Sequence, residues 1–155
     1  MKKSILVLML LFTVTGLVAQ SKEEAAVRNV MAIYKRAMEN LDSSGTIPKL
    51  FTKDAIIYEN GDPGDKVDDF VKGHMYPEFK MFHSFTYKNH KLNVIVSGNY
   101  AFTTETYDYT IVLKKDMKPI VPNSMGVATA VLTKTKDGWK IISYHSSYRK
   151  RKATN

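Results

Sequence analysis

The 155-residue chain contains no cysteine. Disulfides, thiolate metal sites and cysteine nucleophiles are therefore excluded, and a folded domain must be stabilised by its apolar core. A lipid-anchored bacterial precursor is excluded too, because it needs a cysteine at its cleavage point. Glycine-rich phosphate loops and a complete catalytic motif are also missing. A single core-stabilised domain is the expectation that remains for a chain of this length.

Histidines are few, and their spacing is uninformative for metal binding. The chain has His74, His83, His90 and His145, and no two of them show the i, i+4 spacing of a helical zinc motif. We therefore predict no metal and no cofactor. We interpret the first three as surface or loop residues around the third helix and the strand after it.

Long apolar runs are missing except at the N-terminus, where two lysines precede Ile5–Phe12 and small residues follow. This order is typical of a secretory signal peptide, and the run is shorter than the roughly 20 residues that span a bilayer. We predict a signal peptide over residues 1–20, cleaved after Ala19 or Gln20, with no stable membrane insertion afterwards. The expected location is the bacterial periplasm or the medium.

Acidic residues are outnumbered, and the net charge is +8. Part of the excess is the basic run Arg149–Lys152 near the C-terminus. This run has no interleaved aromatic residues and no recognised nucleic-acid-binding fold around it. We interpret residues 150–155 as a solvated tail and expect no nucleic-acid partner.

Hydrophobic periodicity predicts three helices in the first half of the chain. Ser21–Glu24 matches a capping box, and apolar residues recur after it at helical spacing as far as Leu41. The early proline of Thr46-Ile-Pro48 predicts a short second helix. A third helix is predicted from Asp65, and Pro77 is expected to end or kink it.

The second half of the chain has the alternation and the turn residues of β-strands. The predicted strands are Asp54–Asn60, a stretch from Phe85 that includes Leu92–Val96, Tyr100–Leu113, Ser124–Thr135 and Trp139–Tyr148. The turn Asp137-Gly138 predicts that the last two strands form a hairpin. Helices followed by strands predict an α+β domain over residues 21–149, in which one curved antiparallel sheet wraps around the helices.

Four stretches, in this order, resemble the NTF2-like superfamily and its SnoaL-like, ketosteroid-isomerase-like branch. They are the amphipathic first helix, LFTKDAIIYENG, VSGNYAFTTETY and TKTKDGWKIISYHSS. The resemblance implies a cone-shaped sheet with an internal pocket, often in a homodimer formed through the outer face of the sheet. It implies no single activity, since the superfamily includes isomerases, cyclases, dehydratases and binding domains.

The resemblance to ketosteroid isomerases implies roles for two residues. It places Glu59 at the carboxylate that moves a proton and Tyr34 at the phenol that donates to the developing oxyanion. The second oxyanion donor of that pattern is missing, because its position falls on Ala130, beside Thr129. Core packing of Tyr34 and solvation of Glu59 are the alternatives.

Alternation along the last strand places Trp139, Ile141, Ser143, His145 and Ser147 on one face. This face begins bulky and becomes small and polar, as expected of a wall that leads from the core into a pocket. We therefore predict that His145 and Ser147 face a ligand, where a neutral imidazole can orient it or act as a base.

The strand 100–113 carries Glu105, Tyr107 and Tyr109 on one face, a mixture typical of ligand cavities. The resemblance favours this face as the inner one. In the alternative, both tyrosines face outward with Tyr144 and Tyr148 and form an aromatic dimer interface.

Three functional hypotheses follow. The first is an exported domain that binds a small, largely apolar molecule through Tyr34, Tyr58, Glu105, Tyr107, Thr129, His145 and Ser147. The second is an acid–base isomerase, dehydratase or cyclase with Tyr34, Glu59 and His145 as catalytic residues. The third is an interaction module that forms a homodimer through the outer face of its sheet.

Overall fold

The computed structural model describes residues 22–119 and 124–150; the predicted signal peptide and residues 151–155 of the predicted tail lie outside these ranges. The helices are α1 (22–39), α2 (Thr46–Lys49), α3 (Val67–Phe70) and α4 (Tyr76–Met81), with a π-helical turn at Val71–Met75 between the last two. The strands are β1 (Phe51–Glu59), β2 (Asp65–Lys66), β3 (Phe82–Ser97), β4 (Tyr100–Leu113), β5 (Ser124–Thr135) and β6 (Gly138–Lys150). Within the described ranges, no helix has the length and apolar character needed to cross a bilayer.

The six strands form one curved, unclosed sheet in the order β2-β1-β6-β5-β4-β3. The predicted α+β architecture is confirmed. The sheet is mixed, however, because β1 and β6 pair in parallel, whereas an antiparallel sheet was predicted. Parallel neighbours need a long crossover connection, and here most of the domain lies between the two strands. Hairpin signals in the sequence cannot show such a pairing.

Helix α1 packs along the inner face of the sheet. Val27, Met31 and Tyr34 are buried, which confirms the predicted apolar stripe. Near the end of the helix, the Glu39 carboxylate accepts a hydrogen bond from the backbone N–H of Tyr87 in β3 at 3.2 Å. The stripe thus forms one side of the core, and the sheet forms the other.

Glu23 joins the start of α1 to the β5–β6 hairpin. Its carboxylate accepts hydrogen bonds from the Lys134 ammonium at 2.7 Å and from the Trp139 indole N–H at 2.8 Å. These two bonds lower the pKa of Glu23. A lowered pKa means that the carboxylate contributes stability above its unfolded-state pKa, and that this contribution is lost as the pH falls through the folded-state pKa.

Replacing Glu23 by glutamine should therefore destabilise the domain at neutral pH and make its stability less sensitive to acid. The urea midpoint of the wild type should fall more steeply than that of Glu23→Gln between about pH 5 and pH 3. The control is Glu24→Gln, which removes only an exposed ion pair with Arg28 and should change stability little. Parallel pH profiles for wild type and Glu23→Gln would contradict this role.

The third helical segment continues through Pro77 to Met81, so the prediction that Pro77 ends the helix is wrong. Pro77 lies in the first turn of α4, where proline is tolerated because the first N–H groups of a helix lack intrahelical partners. The preceding π-helical turn Val71–Met75 supplies the irregularity. Such turns are frequent at functional sites, and this one carries His74.

The inner face of β4 is the predicted one. Its odd-numbered residues are buried from Ala101 to Ile111, including Glu105, Tyr107 and Tyr109. The alternative, in which the two tyrosines form an outer dimer interface, is therefore wrong. The central strand thus presents one carboxyl group and two phenols to the interior.

Strand β6 contains a β-bulge that the sequence analysis missed. Leu132 of β5 pairs with Ile141, but the preceding Val131 pairs with Ser143, so Ile142 is an extra residue. An extra residue in one strand interchanges its two faces beyond that point. The alternation predicted for this strand therefore holds only as far as Ile141.

Beyond the bulge, Tyr144 is buried and His145 is exposed. His145 pairs with Thr129 of β5 and with Tyr58 of β1 on the outer face, and its ring centroid lies 6.5 Å from that of Tyr58. The prediction that His145, Thr129 and Tyr58 face the interior is therefore wrong. The missed bulge is the physical reason for His145, and for Tyr58 the reason is that its neighbour Ile57 takes the inner position.

Candidate functional site

A cavity of about 500 Å³ lies between α1, the end of β1, the helical segment 67–81 and the inner face of the sheet. Four phenylalanines and six tyrosines contribute to its walls, the tyrosines being Tyr34, Tyr87, Tyr107, Tyr109, Tyr144 and Tyr148. Charged groups are confined to the end of β1 and the turn after it, and to the helical segment. The cavity therefore has an aromatic interior and a polar side.

Three tyrosine hydroxyls meet in the aromatic interior. The rings of Tyr34 and Tyr144 lie 5.0 Å apart, and the Tyr144 phenol interacts electrostatically with those of Tyr34 and Tyr107. Burial raises the pKa of all three phenols far above its ordinary value. They therefore stay protonated at physiological pH and can act as hydrogen-bond donors.

Glu59, at the end of β1, lies on the polar side with His74. The His74 Nε2 atom is 3.1 Å from the Glu59 carboxylate and 3.6 Å from that of Glu78. Burial raises the pKa of Glu59; His74 opposes this effect and Glu78 reinforces it, and the net result is a raised pKa. A carboxyl group whose pKa is moved towards neutrality is a more effective general acid or base.

His74 is the main site residue that sequence reasoning missed. The interpretation of His74 as a surface residue is confirmed, since its side chain is 46% exposed, but the π-helical turn also places it at the edge of the cavity, with its ring centroid 5.0 Å from that of Phe70. One signal was present, because His74 and Glu78 have the i, i+4 spacing of a helical pair. That Glu59 would join them depends on the tertiary structure.

A second carboxyl–imidazole pair lies deeper in the protein. Glu105 is only 5% exposed, and its Oε2 atom is 2.6 Å from Nε2 of His90. Burial raises the pKa of Glu105, and His90 opposes the shift. His90 follows an irregularity in β3 at Asn89, where φ is 51°. It is a half-buried strand residue, so its interpretation as a surface or loop residue is wrong.

The structure separates the predicted site residues into three groups. Those that line the cavity are Tyr34, Glu59 and Tyr107; Ser147 borders it too, although beyond the bulge it shares the outer face of β6 with His145 and pairs with the exposed Val127. Glu105 faces inward but lies outside the cavity lining, and Tyr58, Thr129 and His145 lie on the outer face. Within residues 22–119 and 124–150, no group of three or more potential ligands could hold a metal ion.

The Glu59–His74 contact predicts opposite effects for two substitutions. Removing the imidazole in His74→Ala should raise the pKa of Glu59 further, whereas removing a neighbouring negative charge in Glu78→Gln should lower it. Carboxyl-carbon NMR titration of Glu59 measures both changes. Asp69→Asn, which removes an acidic group outside the cavity lining, is the control and should leave this pKa unchanged. Shifts in the same direction for both substitutions would contradict the arrangement.

The chain resembles known proteins both in its sequence family and in its fold. The family model described as the SnoaL-like domain matches residues 27–149, which run from α1 almost to the end of β6. None of the curated proteins is similar enough in sequence to count as a match.

Solved structures of the same fold come from several bacteria. An NTF2-like superfamily protein from Salmonella enterica has a TM-score of 0.68 and 19% identity, over 87% of this chain and 95% of that one. A ketosteroid isomerase-like protein from Erwinia carotovora atroseptica has a TM-score of 0.68 and 19% identity, over 83% and 98%. The hexachlorocyclohexane dehydrochlorinase LinA-type3 from Novosphingobium barchaimii has a TM-score of 0.65 and 16% identity, over 81% and 85%. The TM-scores show that the chain shares the fold of these proteins, and identities this low carry no statement beyond the fold. Together with the match to the family model, they show that the chain belongs to the SnoaL-like domain family and has the NTF2-like fold.

Proposed function

We propose that the protein binds a small, largely apolar molecule in the cavity between α1 and the sheet. The observation that supports this proposal is an aromatic cavity of about 500 Å³ whose charged groups, Glu59, Asp62, His74 and Glu78, lie at the end of β1 and on the helical segment. Small-molecule sites have this composition, with volumes of roughly 300–1,000 Å³. The tyrosine hydroxyls and the Glu59–His74 pair would orient the ligand, and the aromatic rings would hold its apolar body.

A thermal-shift screen of small apolar molecules tests this proposal. A ligand present at about 100 times its dissociation constant adds about 2.7 kcal/mol to stability, which gives a clear rise in the melting temperature. Ser146→Tyr, which places a ring in the cavity, should remove the rise. Ser143→Tyr, on the opposite face of the same strand, should keep it. A rise that survives Ser146→Tyr would place the ligand elsewhere.

Acid–base catalysis is the second candidate function, and the Glu59–His74 contact is the observation that favours it. Glu59 would take a proton from a carbon next to a carbonyl group, and Tyr34 would donate a hydrogen bond to the oxyanion that forms. The test is deuterium exchange into ketones identified by the screen. Glu59→Gln should slow exchange by about 10²–10⁴-fold, whereas Asp69→Asn, at an acidic residue outside the cavity lining, should change it little. Equal exchange by wild type and Glu59→Gln would exclude this role.

A homodimer formed through the outer face of the sheet is a separate proposal. Ile95, Phe102 and Val127 leave about half or more of their surface exposed there, and Ile95 pairs directly with Phe102. Exposed apolar side chains of this kind mark interaction surfaces when they are contiguous. Light scattering should give a dimer mass for the wild type and a monomer mass for Ile95→Lys. A monomeric wild type would contradict the proposal.

Export is also a proposal, supported by the charge and apolar pattern of residues 1–20. Expression of the full chain in a bacterium should give a periplasmic or secreted protein that starts after Ala19 or Gln20. Cell fractionation shows where the protein is, and mass spectrometry of the intact protein shows at which residue it starts. An uncleaved protein in the cytoplasmic fraction would contradict export.

A further inference from the structure

The charges around the cavity are unusual for a basic protein. The lining includes three acidic residues, Glu59, Asp62 and Glu78, and its described residues include no lysine or arginine. The chain as a whole has 23 lysines and arginines and a net charge of +8. The one basic side chain in the described lining is His74, which already lies between Glu59 and Glu78. This side of the cavity therefore has a local excess of negative charge.

The aromatic wall of the cavity also favours a positively charged ligand. Tyrosine and phenylalanine rings attract cations at their faces, and ten such rings line the cavity. One of them already contacts a cation, since the Lys35 ammonium lies 5.3 Å from the centroid of the Tyr87 ring. Glu39 balances the charge of Lys35 at 2.8 Å, so this ammonium does not neutralise the acidic side of the cavity.

A buried carboxyl group lies behind part of this wall. Glu105 acts electrostatically on Tyr34 and Tyr107, and its Oε1 atom has no hydrogen-bond partner within the described residues. Its other oxygen pairs with His90. Around the ligand space there are thus four carboxyl groups, Glu59, Asp62, Glu78 and Glu105, and two imidazoles, His74 and His90.

We infer that the ligand of this cavity is an organic cation, an amine or quaternary ammonium with a largely apolar body. Its charged group would lie among Glu59, Asp62 and Glu78, and its body would pack against the tyrosine wall. This inference rests on the proposal that the cavity binds a small molecule. An anionic ligand would meet three carboxylates with a single imidazole as its basic partner.

The strength of the attraction for a bound cation depends on how exposed the acidic side chains are. The Glu78 side chain is 40% exposed and Asp62 is exposed, so water and salt screen their attraction for a bound cation. The less exposed Glu59 and the ring faces are screened less. A preference of about tenfold for a cation over a neutral molecule of the same shape is the expectation.

Three probes of one shape test the inference: 1-adamantylammonium, 1-adamantanol and 1-adamantanecarboxylate. Calorimetric titration at pH 7 should give the tightest binding for the ammonium, about tenfold weaker binding for the alcohol, and the weakest binding for the carboxylate. The double variant Asp62→Asn/Glu78→Gln should weaken ammonium binding by about threefold or more and leave alcohol binding unchanged. Asp69→Asn, at an acidic residue outside the lining, should change none of the three.

The possible outcomes separate this inference from the proposal on which it depends. Equal affinities for the ammonium and the alcohol, or tighter binding of the carboxylate, would overturn the cationic ligand and leave small-molecule binding intact. If none of the three probes binds, the cationic ligand is overturned. In that case the thermal-shift screen with Ser146→Tyr decides separately whether the cavity binds any small molecule.

Discussion

Deletion of Ile142 should lower the free energy of unfolding by about 3–5 kcal/mol, the cost of losing one large aromatic side chain from a core. Ile142 is the extra residue of the bulge in β6. Without it, the side chains of β6 alternate between the two faces of the sheet without interruption along the whole strand. If Trp139 and Ile141 keep their inner positions, Tyr144 moves to the outer face. If Tyr144 keeps its position, the other two move outward.

The matched control keeps the residue and removes its side chain. Ile142 is only half-buried, so Ile142→Ala should cost much less than the deletion. Urea unfolding followed by circular dichroism measures both variants. Near-equal stabilities of wild type and deletion variant would show that the bulge does not determine which residues of β6 face the cavity. Tyr144 would then have to reach the interior in another way.

The replacement of Gly126 by alanine should lower stability by about 1–3 kcal/mol, the range for overpacking a well-filled core. Gly126 of β5 pairs with Tyr107 of β4. A Cβ atom at this position would overlap the Tyr107 ring, with Cζ only 2.6 Å away and a closer contact at Cε2. The ring must move, and because it lines the cavity, the affinity for any cavity ligand should fall as well.

Gly73→Ala is the control for this substitution. A Cβ atom added at Gly73 meets nothing within 4 Å, and alanine favours helices more than glycine does. This variant should be as stable as the wild type or slightly more stable. Thermal unfolding and ligand titration of both variants measure the two effects. Wild-type behaviour of Gly126→Ala would show that the Tyr107 ring is not held against the β5 backbone.

Segments governed by local signals were predicted well. The bounds of β4 and β5 match their predictions, because long alternating runs with clear turns identify a strand without any knowledge of its neighbours. The stripe of α1 was confirmed for the same reason. The inner face of β4 followed from the family resemblance, and the tyrosines on that face are the ones that line the cavity.

The errors at His145 and His90 and the missed cavity contact of His74 share one physical origin, an irregularity in an otherwise regular element. One extra residue at Ile142 interchanged the faces of the last strand and moved His145 outward. The π-helical turn brought His74 to the cavity, and the irregularity beside Asn89 gave His90 a half-buried place next to Glu105. Alternation and helical spacing assume a constant period, so they cannot locate these changes.

The candidate site was therefore only partly predictable. Tyr34 and Glu59 could be placed through the resemblance, which supplied two positions already related in space. His74 and Tyr144 could not, because they come from a later helix and from the far end of the chain, and their meeting depends on the tertiary structure. The parallel pairing of β1 with β6 brings the end of β1, with Glu59, next to the cavity-lining part of β6.

Methionine methyl NMR tests the central claim, that the cavity binds a small molecule, most directly. Met38, Met75 and Met81 line the cavity, whereas Met31, Met117 and Met125 do not. On titration with the molecule that gives the largest thermal shift, the ¹³C-methyl signals of the first three should move at one common dissociation constant, and those of the other three should stay in place. Shifts confined to Met31, Met117 or Met125, or no shifts at saturating ligand, would contradict the account.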